Sequence, residues 1–202
     1  MNKFAEKSLQ MAKYKTYIQQ LHFDGRNYTK GSVVDILDTF KIVAMEFPFK
    51  KNPKPKDLPT RDWAGEDGLD VYTPDVLPMK SYDIDVTFLY VGTEENIRTD
   101  ISDFIDFIYG RSKGSAGDSV QNCRLAIYND YVGMGRKDVV VSSVDNELFD
   151  ASDLDPDAVA KFNVKFTVYD PTTEVTATRG TYSGVERVTG LNFSDSSSQA
   201  GQ

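Results

Sequence analysis

His22 is the only histidine and Cys123 the only cysteine in 202 residues, so nucleophilic catalysis of the serine–imidazole or thiol–imidazole kind has a single base to draw on. Each has a plainer reading: His22 as a structural residue, and Cys123, at the start of a β-rich run, as a small buried hydrophobe. One histidine with one cysteine cannot make a zinc site unless carboxylates fill the other positions, and one cysteine cannot form an intramolecular disulfide. The 31 acidic residues always contain some pair suited to glycoside hydrolysis, but nothing distinguishes one pair from another. Asp153-Leu-Asp155-Pro-Asp157-Ala158 resembles the opening of a calcium loop. Pro156 breaks it, Ala158 stands where the turn glycine belongs, and Val164 replaces the bidentate glutamate. The glycine-rich run from Gly110 to Gly117 follows a helix instead of joining a strand to one, and reads as a flexible connection. These residues predict no enzyme, no metal and no cofactor.

The chain that holds them is of single-domain length, enough to bury about 70% of its unfolded surface around one core. It is 40% hydrophobic and 27% charged, an ordinary globular composition. No stretch approaches the ~18 apolar residues of a membrane span, and no apolar segment near the start resembles a signal peptide. Twenty-three basic against 31 acidic residues give a net charge of −8, which repels a phosphate backbone and disfavours general nucleic-acid or anionic-membrane binding.

Strict alternation marks two half-buried antiparallel strands, 82–91 and 161–169, with Ile84, Val86, Phe88 and Tyr90 on one inner face and Phe162, Val164, Phe166 and Val168 on the other. Further strands are expected over 16–23, 40–49, 124–128 and 139–144, five or six in all. After Gly92, Thr93 is placed to cap a helix whose apolar stripe is Ile97, Ile101, Phe104, Ile105 and Ile108, with Glu94 and Glu95 in its first turn and Gly110 as its stop. One helix of about four turns among antiparallel strands predicts a mainly β fold, with the helix against a bent sheet or sandwich. The organisation is an N-terminal arm over 1–15, one β-rich domain over 16–185, and a low-complexity polar tail over 186–202.

Residues 48–80 hold six of the eight prolines together with Trp63, the only tryptophan, and Leu69, Val71 and Tyr72. Proline at this density excludes regular structure over most of the span, yet these side chains need cover to offset the cost of ordering. Two readings stand: the loop folds back over its own domain, or it lies on another subunit. Charge is segregated as well. Lys50, Lys51, Lys54, Lys56 and Arg61 face a single acid over 50–61, whereas residues 138–160 carry seven acids, among them Asp150, Asp153, Asp155 and Asp157, and no base. Such poles are either solvated loops or the two halves of a head-to-tail contact between copies, in which Lys50, Lys51, Lys54, Lys56, Arg61, Asp62, Trp63 and Tyr72 would meet the four aspartates.

Phe47-Pro48-Phe49-Lys50, the segment Leu58-Pro59-x-Arg61-Asp62-Trp63-x-x-Glu66-Asp67-Gly68-x-Asp70-Val71-Tyr72, and a strand leading straight into a helix resemble tail components of tailed bacteriophages, specifically the distal tail protein family, over about residues 38–171. The resemblance implies a tail tube-like fold, a bent antiparallel β-sandwich or split barrel flanked by one helix, with a long loop and extended termini. It implies a virion structural protein, made in the host cytoplasm and assembled as a ring, usually of six copies. The ring would join the tail tube protein to the tip or baseplate hub and leave a channel through which DNA passes unbound. An acidic wall suits such a channel. A tail tube subunit and a tail terminator share the expected fold; a carbohydrate-binding β-sandwich is the alternative of another class.

Overall fold

The computed structural model describes residues 15–23, 28–65, 67–111, 123–145 and 160–193. Seven antiparallel strands form one path in the order β2-β1-β7-β8-β9-β6-β3: β1 Thr16–Phe23, β2 Tyr28–Asp35, β3 Ile42–Ala44, β6 Tyr82–Tyr90, β7 Cys123–Asn129, β8 Met134–Asp145 and β9 Ala160–Val168. The two alternating segments pair as their patterns require, with Ile84 opposite Phe166, Val86 opposite Val164 and Phe88 opposite Phe162, all buried. Their outward faces are polar: Thr167 Oγ1 donates to Asp83 at 2.7 Å, and Lys165 lies 3.4 Å from the same carboxylate.

A short helix, α1 (Ile36–Phe40), joins β2 at one edge of this path to β3 at the other. Only residues 36–41 bridge those edges, so the sheet must curl until they approach: an open barrel with α1 across the gap. Asp35 caps α1 by accepting from the amides of Leu37 and Asp38, and Lys15 clamps Asp35 and Asp38 at 2.6 and 2.9 Å. The main helix, α2 (Ile97–Tyr109), buries Ile101, Phe104 and Ile108 against the concave face, where the Phe104 ring meets Phe88 at 5.2 Å and Phe162 at 5.9 Å. The mainly β fold with one substantial helix is therefore as expected.

A second layer lies on the other face of β1 and β7. The hairpin β10 (Glu174–Tyr182) and β11 (Val185–Asn192) covers Tyr17, Leu21, Ala126 and Tyr128 with Val175 and Leu191. Ser183 (φ 51°) and Gly184 (φ 79°) make its two-residue turn, the left-handed pair a tight hairpin needs. Residues 185–192 are thus a strand and not the start of a polar tail; the segment reads as polar in sequence because only Leu191 is buried. The 1–15 arm, apart from Lys15, and residues 194–202 lie outside the described residues.

Other expectations need correction. Among the described residues there are eleven strands, not five or six: β2, β10, β11 and the two-residue β4 (Thr60–Arg61) and β5 (Asp70–Val71) carry no clean apolar alternation. The apolar run 40–49 is not one strand; Lys41 turns left-handed (φ 57°) after α1, and β3 ends at Ala44, before Pro48. The 94–109 helix opens with a 3₁₀ turn over Glu94–Asn96, and the Thr93 hydroxyl caps no amide but accepts from Asn96 Nδ2 at 3.1 Å.

Strand and helix are joined by a buried polar contact with a pH signature. The Tyr90 hydroxyl donates to Asp100 Oδ2 at 2.7 Å beneath the 3₁₀ turn. Burial first, and then the Asp100 carboxylate, push its pKa up to about 12. Tyr17, buried and facing Asp35 and Asp130, is likewise pushed up to about 12. An unfolded tyrosine ionises near 10, so this contribution is intact below pH 10 and is lost as pH rises towards 12. The urea midpoint should hold steady up to about pH 10 and fall between about 10 and 12, with Tyr90→Phe shallower than wild type in that window. A wild-type midpoint level through pH 12 would contradict this.

Candidate interaction surface

Residues 53–80 leave the barrel as an arm. At its base the Lys56 amide donates to the Pro78 carbonyl and the Lys80 amide to the Lys54 carbonyl, both at 2.8 Å, around a bridge between Pro55 and Met79. Farther out Thr60 pairs with Val71 and Arg61 with Asp70. Proline blocks a continuous ladder but not this interrupted one. The arm does not fold back over its own domain. Trp63 is 42% and Tyr72 68% exposed, and Leu69, Val71, Val76 and Leu77 are exposed beside them.

The tip is ordered by a local triad. The Arg61 guanidinium stacks 3.5 Å above the Trp63 ring, and Trp63 Nε1 donates to Asp70 Oδ2 at 2.9 Å. The indole is thereby held in a fixed orientation while much of it faces solvent. Asp62 is exposed next to it, and Lys50, Lys51, Lys54 and Lys56 are exposed at the root. Asp150, Asp153, Asp155 and Asp157, with the calcium-like run, lie outside the described residues. Asp138, first of the seven acids, is no part of a surface pole: it is buried, 3.6 Å from Arg124.

The arm's root is tied to the body by Arg136, which is 2% exposed. Its Nη2 donates to the Lys50 carbonyl at 2.9 Å and its Nη1 to the Thr173 carbonyl at 3.2 Å, and the Lys50 amide donates to the Tyr82 hydroxyl at 3.2 Å. Arg136, Lys137 and Asp138 occupy a bulge: β8 takes three steps, from Arg136 to Val139, where β7 takes two, from Ile127 to Leu125, and Asp138 is left-handed (φ 53°). There β8 exchanges β10 for β9 as its partner. Lys137, 1% exposed, lies 3.8 Å from Asp170. Burial works against the Asp170 charge, but bonds from Thr173 and Thr172 and the Lys137 ammonium hold its carboxyl below the ordinary range.

Three other segments leave the barrel at the arm's end: the β7–β8 turn, the β9–β10 loop and the β10–β11 tip, the last linked to the turn by Arg179 and Asp130 at 2.7 Å. They expose Tyr131, Val132, Tyr169, Tyr182 and Val185. Of the described large apolar side chains that are exposed, all but Met45 belong to the arm or to this end. The pattern of the sequence did not reveal it, although Ser183-Gly184 between β-rich runs is a readable turn signal.

His22 and Cys123 are directly opposite on β1 and β7. Burial pushes the Cys123 thiol up to about 11, leaving it protonated at neutral pH rather than activated. Gly110-Arg-Ser-Lys-Gly114 has the spacing of a nucleophile elbow, but Gly110 (φ 72°) ends α2, whereas an elbow joins a strand to a helix. Among the described residues, no group of three or more His, Cys, Asp or Glu is placed to hold a metal, and no helix is long and apolar enough to cross a membrane.

No known protein family matches the chain, and no curated protein sequence does. Among solved structures it is similar to the Dit protein of SPP1, described as a paradigm of the hub adsorption apparatus in phages that infect Gram-positive bacteria. Identity is 15% and the TM-score 0.44, over 81% of this chain and 58% of that one, so the chain spans less than two thirds of that protein.

Proposed function

We propose that this chain is a structural subunit of a phage tail that assembles with its own copies into a ring at the distal end of the tail tube. The ring, of six copies by resemblance, joins the tube protein to the tip or baseplate hub, leaves a channel for DNA, and resides in the virion. The observation that carries self-assembly is the arm, whose oriented Trp63 and exposed Tyr72 find no cover on their own domain. The tail assignment rests on the Phe47–Lys50 and Leu58–Tyr72 segments and on the strand-into-helix unit, set in an open barrel. No residue in this role is catalytic.

Native mass spectrometry of the purified protein, with electron microscopy of the same sample, tests the reading through mass per particle. A discrete closed ring is expected. Long tubular polymers would make the chain a tube subunit instead, and a monomer at every concentration would overturn the proposal. Specific glycan binding by that monomer would move it to a carbohydrate-binding module.

A further inference from the structure

The arm carries both signs of charge, and they are kept apart. Lys50, Lys51, Lys54 and Lys56 crowd its root, while residues 62–75 contain no base and expose Asp62, Asp67, Asp70 and Asp75. From the Lys54–Lys80 contact to the Arg61–Asp70 pair is seven residues, about 23 Å of extended chain at ~3.3 Å per residue. That is more than twice the Debye length of about 8 Å at physiological salt, so Asp62, Asp67 and Asp70 are largely screened from the lysine root of their own arm, with Asp75, three residues before Pro78, midway between the two. On its own domain Lys50 meets the Tyr82 ring at 5.0 Å and Lys80 takes Asp57, whereas Lys51, Lys54 and Lys56 and the tip acids Asp62 and Asp67 are exposed to solvent.

We infer that the occupant of the arm is the arm of a second copy: the acidic outer half of one lies against the lysine root of the next, with Trp63, Tyr72 and Leu69 covered between them. This rests on the self-assembly reading above and deepens it by naming the matching surface. A second copy answers both poles at once, because every chain brings one root and one tip, and a head-to-tail contact uses each once per subunit. It also supplies the missing apolar cover. The partner of the lysines is then the arm itself, with no part assigned to the acids of 146–159. A nucleic acid would meet the lysines but be repelled by the aspartates a few residues on.

Two charge-reversed proteins test this. The root variant carries Lys51→Glu, Lys54→Glu and Lys56→Glu; the tip variant carries Asp62→Lys, Asp67→Lys and Asp75→Lys. All six side chains are exposed, so both variants should melt as wild type does. At 0.15 M salt each alone should need at least about tenfold more protein to assemble, because like charges face each other across the contact. Mixed in equal amounts, they should assemble within about threefold of wild type, alternating, and one chain with all six substitutions should do so alone. Sedimentation velocity and native mass spectrometry read both. Variants that assemble like wild type, or a mixture and a six-fold variant no better than the separate proteins, overturn the arm-to-arm contact while leaving self-assembly standing. A wild type that never assembles overturns both.

Discussion

Replacing residues 57–77 with an Asn-Gly turn between Lys56 and Pro78 should leave the barrel folded and strongly weaken self-assembly. Lys56 and Pro78 already form a hydrogen-bonded rung at the base of the arm, and a two-residue turn can close it. None of the removed side chains belongs to either buried cluster of the barrel. The one ion pair lost among the described residues, Asp57 with Lys80, has its carboxylate 92% exposed and contributes little. The melting temperature should therefore stay within about 2 °C of wild type. Assembly should weaken by at least about a hundredfold, because the deletion takes away one tryptophan and one tyrosine that in the proposed contact would each contribute about 2 kcal/mol or more. Sedimentation velocity at matched concentration measures it. Assembly unchanged in a folded deletion variant would take the arm out of the interface.

Gly135→Ala should cost the barrel about 3 kcal/mol, the upper end of over-packing, and lower its melting temperature by about 10 °C. Gly135 pairs with Tyr128 of β7 on one side and Val175 of β10 on the other. A Cβ there would fall 2.0 Å from the Ile127 carbonyl oxygen and 2.9 Å from the Tyr128 Cα. Those are backbone atoms of a central strand, so relief requires β7 and β8 to separate. Thermal melts of the two proteins decide it; a loss under about 1 kcal/mol would mean that the strands are not held this closely.

Legibility in the sequence followed burial. β6, β9 and α2 could be read because each has one face in the core and one in water, which imprints periods of 2 and 3.6. β1 was found to the residue. β2 escaped because it is an edge strand, with Lys30 and Gly31 where a central strand would place apolar side chains. β10 and β11 escaped for a related reason: Thr176, Thr178, Arg179 and Thr181 face water, and only Val175 and Leu191 are buried. Asp138 misled in the opposite direction, since by sequence it belongs to the acidic pole of 138–160. With Arg136 and Lys137 it makes three successive charges that look like surface, yet the bulge turns all three inward, where partners from distant segments meet them. For the arm, the prolines correctly excluded a regular sheet, and the lone tryptophan marked the segment whose cover the sequence left open. Whether that cover is intramolecular is not encoded in composition, and only the fold shows the arm standing free.

The Arg136 anchorage joins the arm to a second protrusion. Its guanidinium grips the Lys50 carbonyl at the arm's root and the Thr173 carbonyl just ahead of β10, so the arm and the β10–β11 hairpin share one buried anchor, while the arm's own ends run straight into the core through Phe49 and Tyr82. Two protruding elements of the same subunit thus meet at one side chain, although 47 residues separate Arg136 from Ser183 at the hairpin's turn.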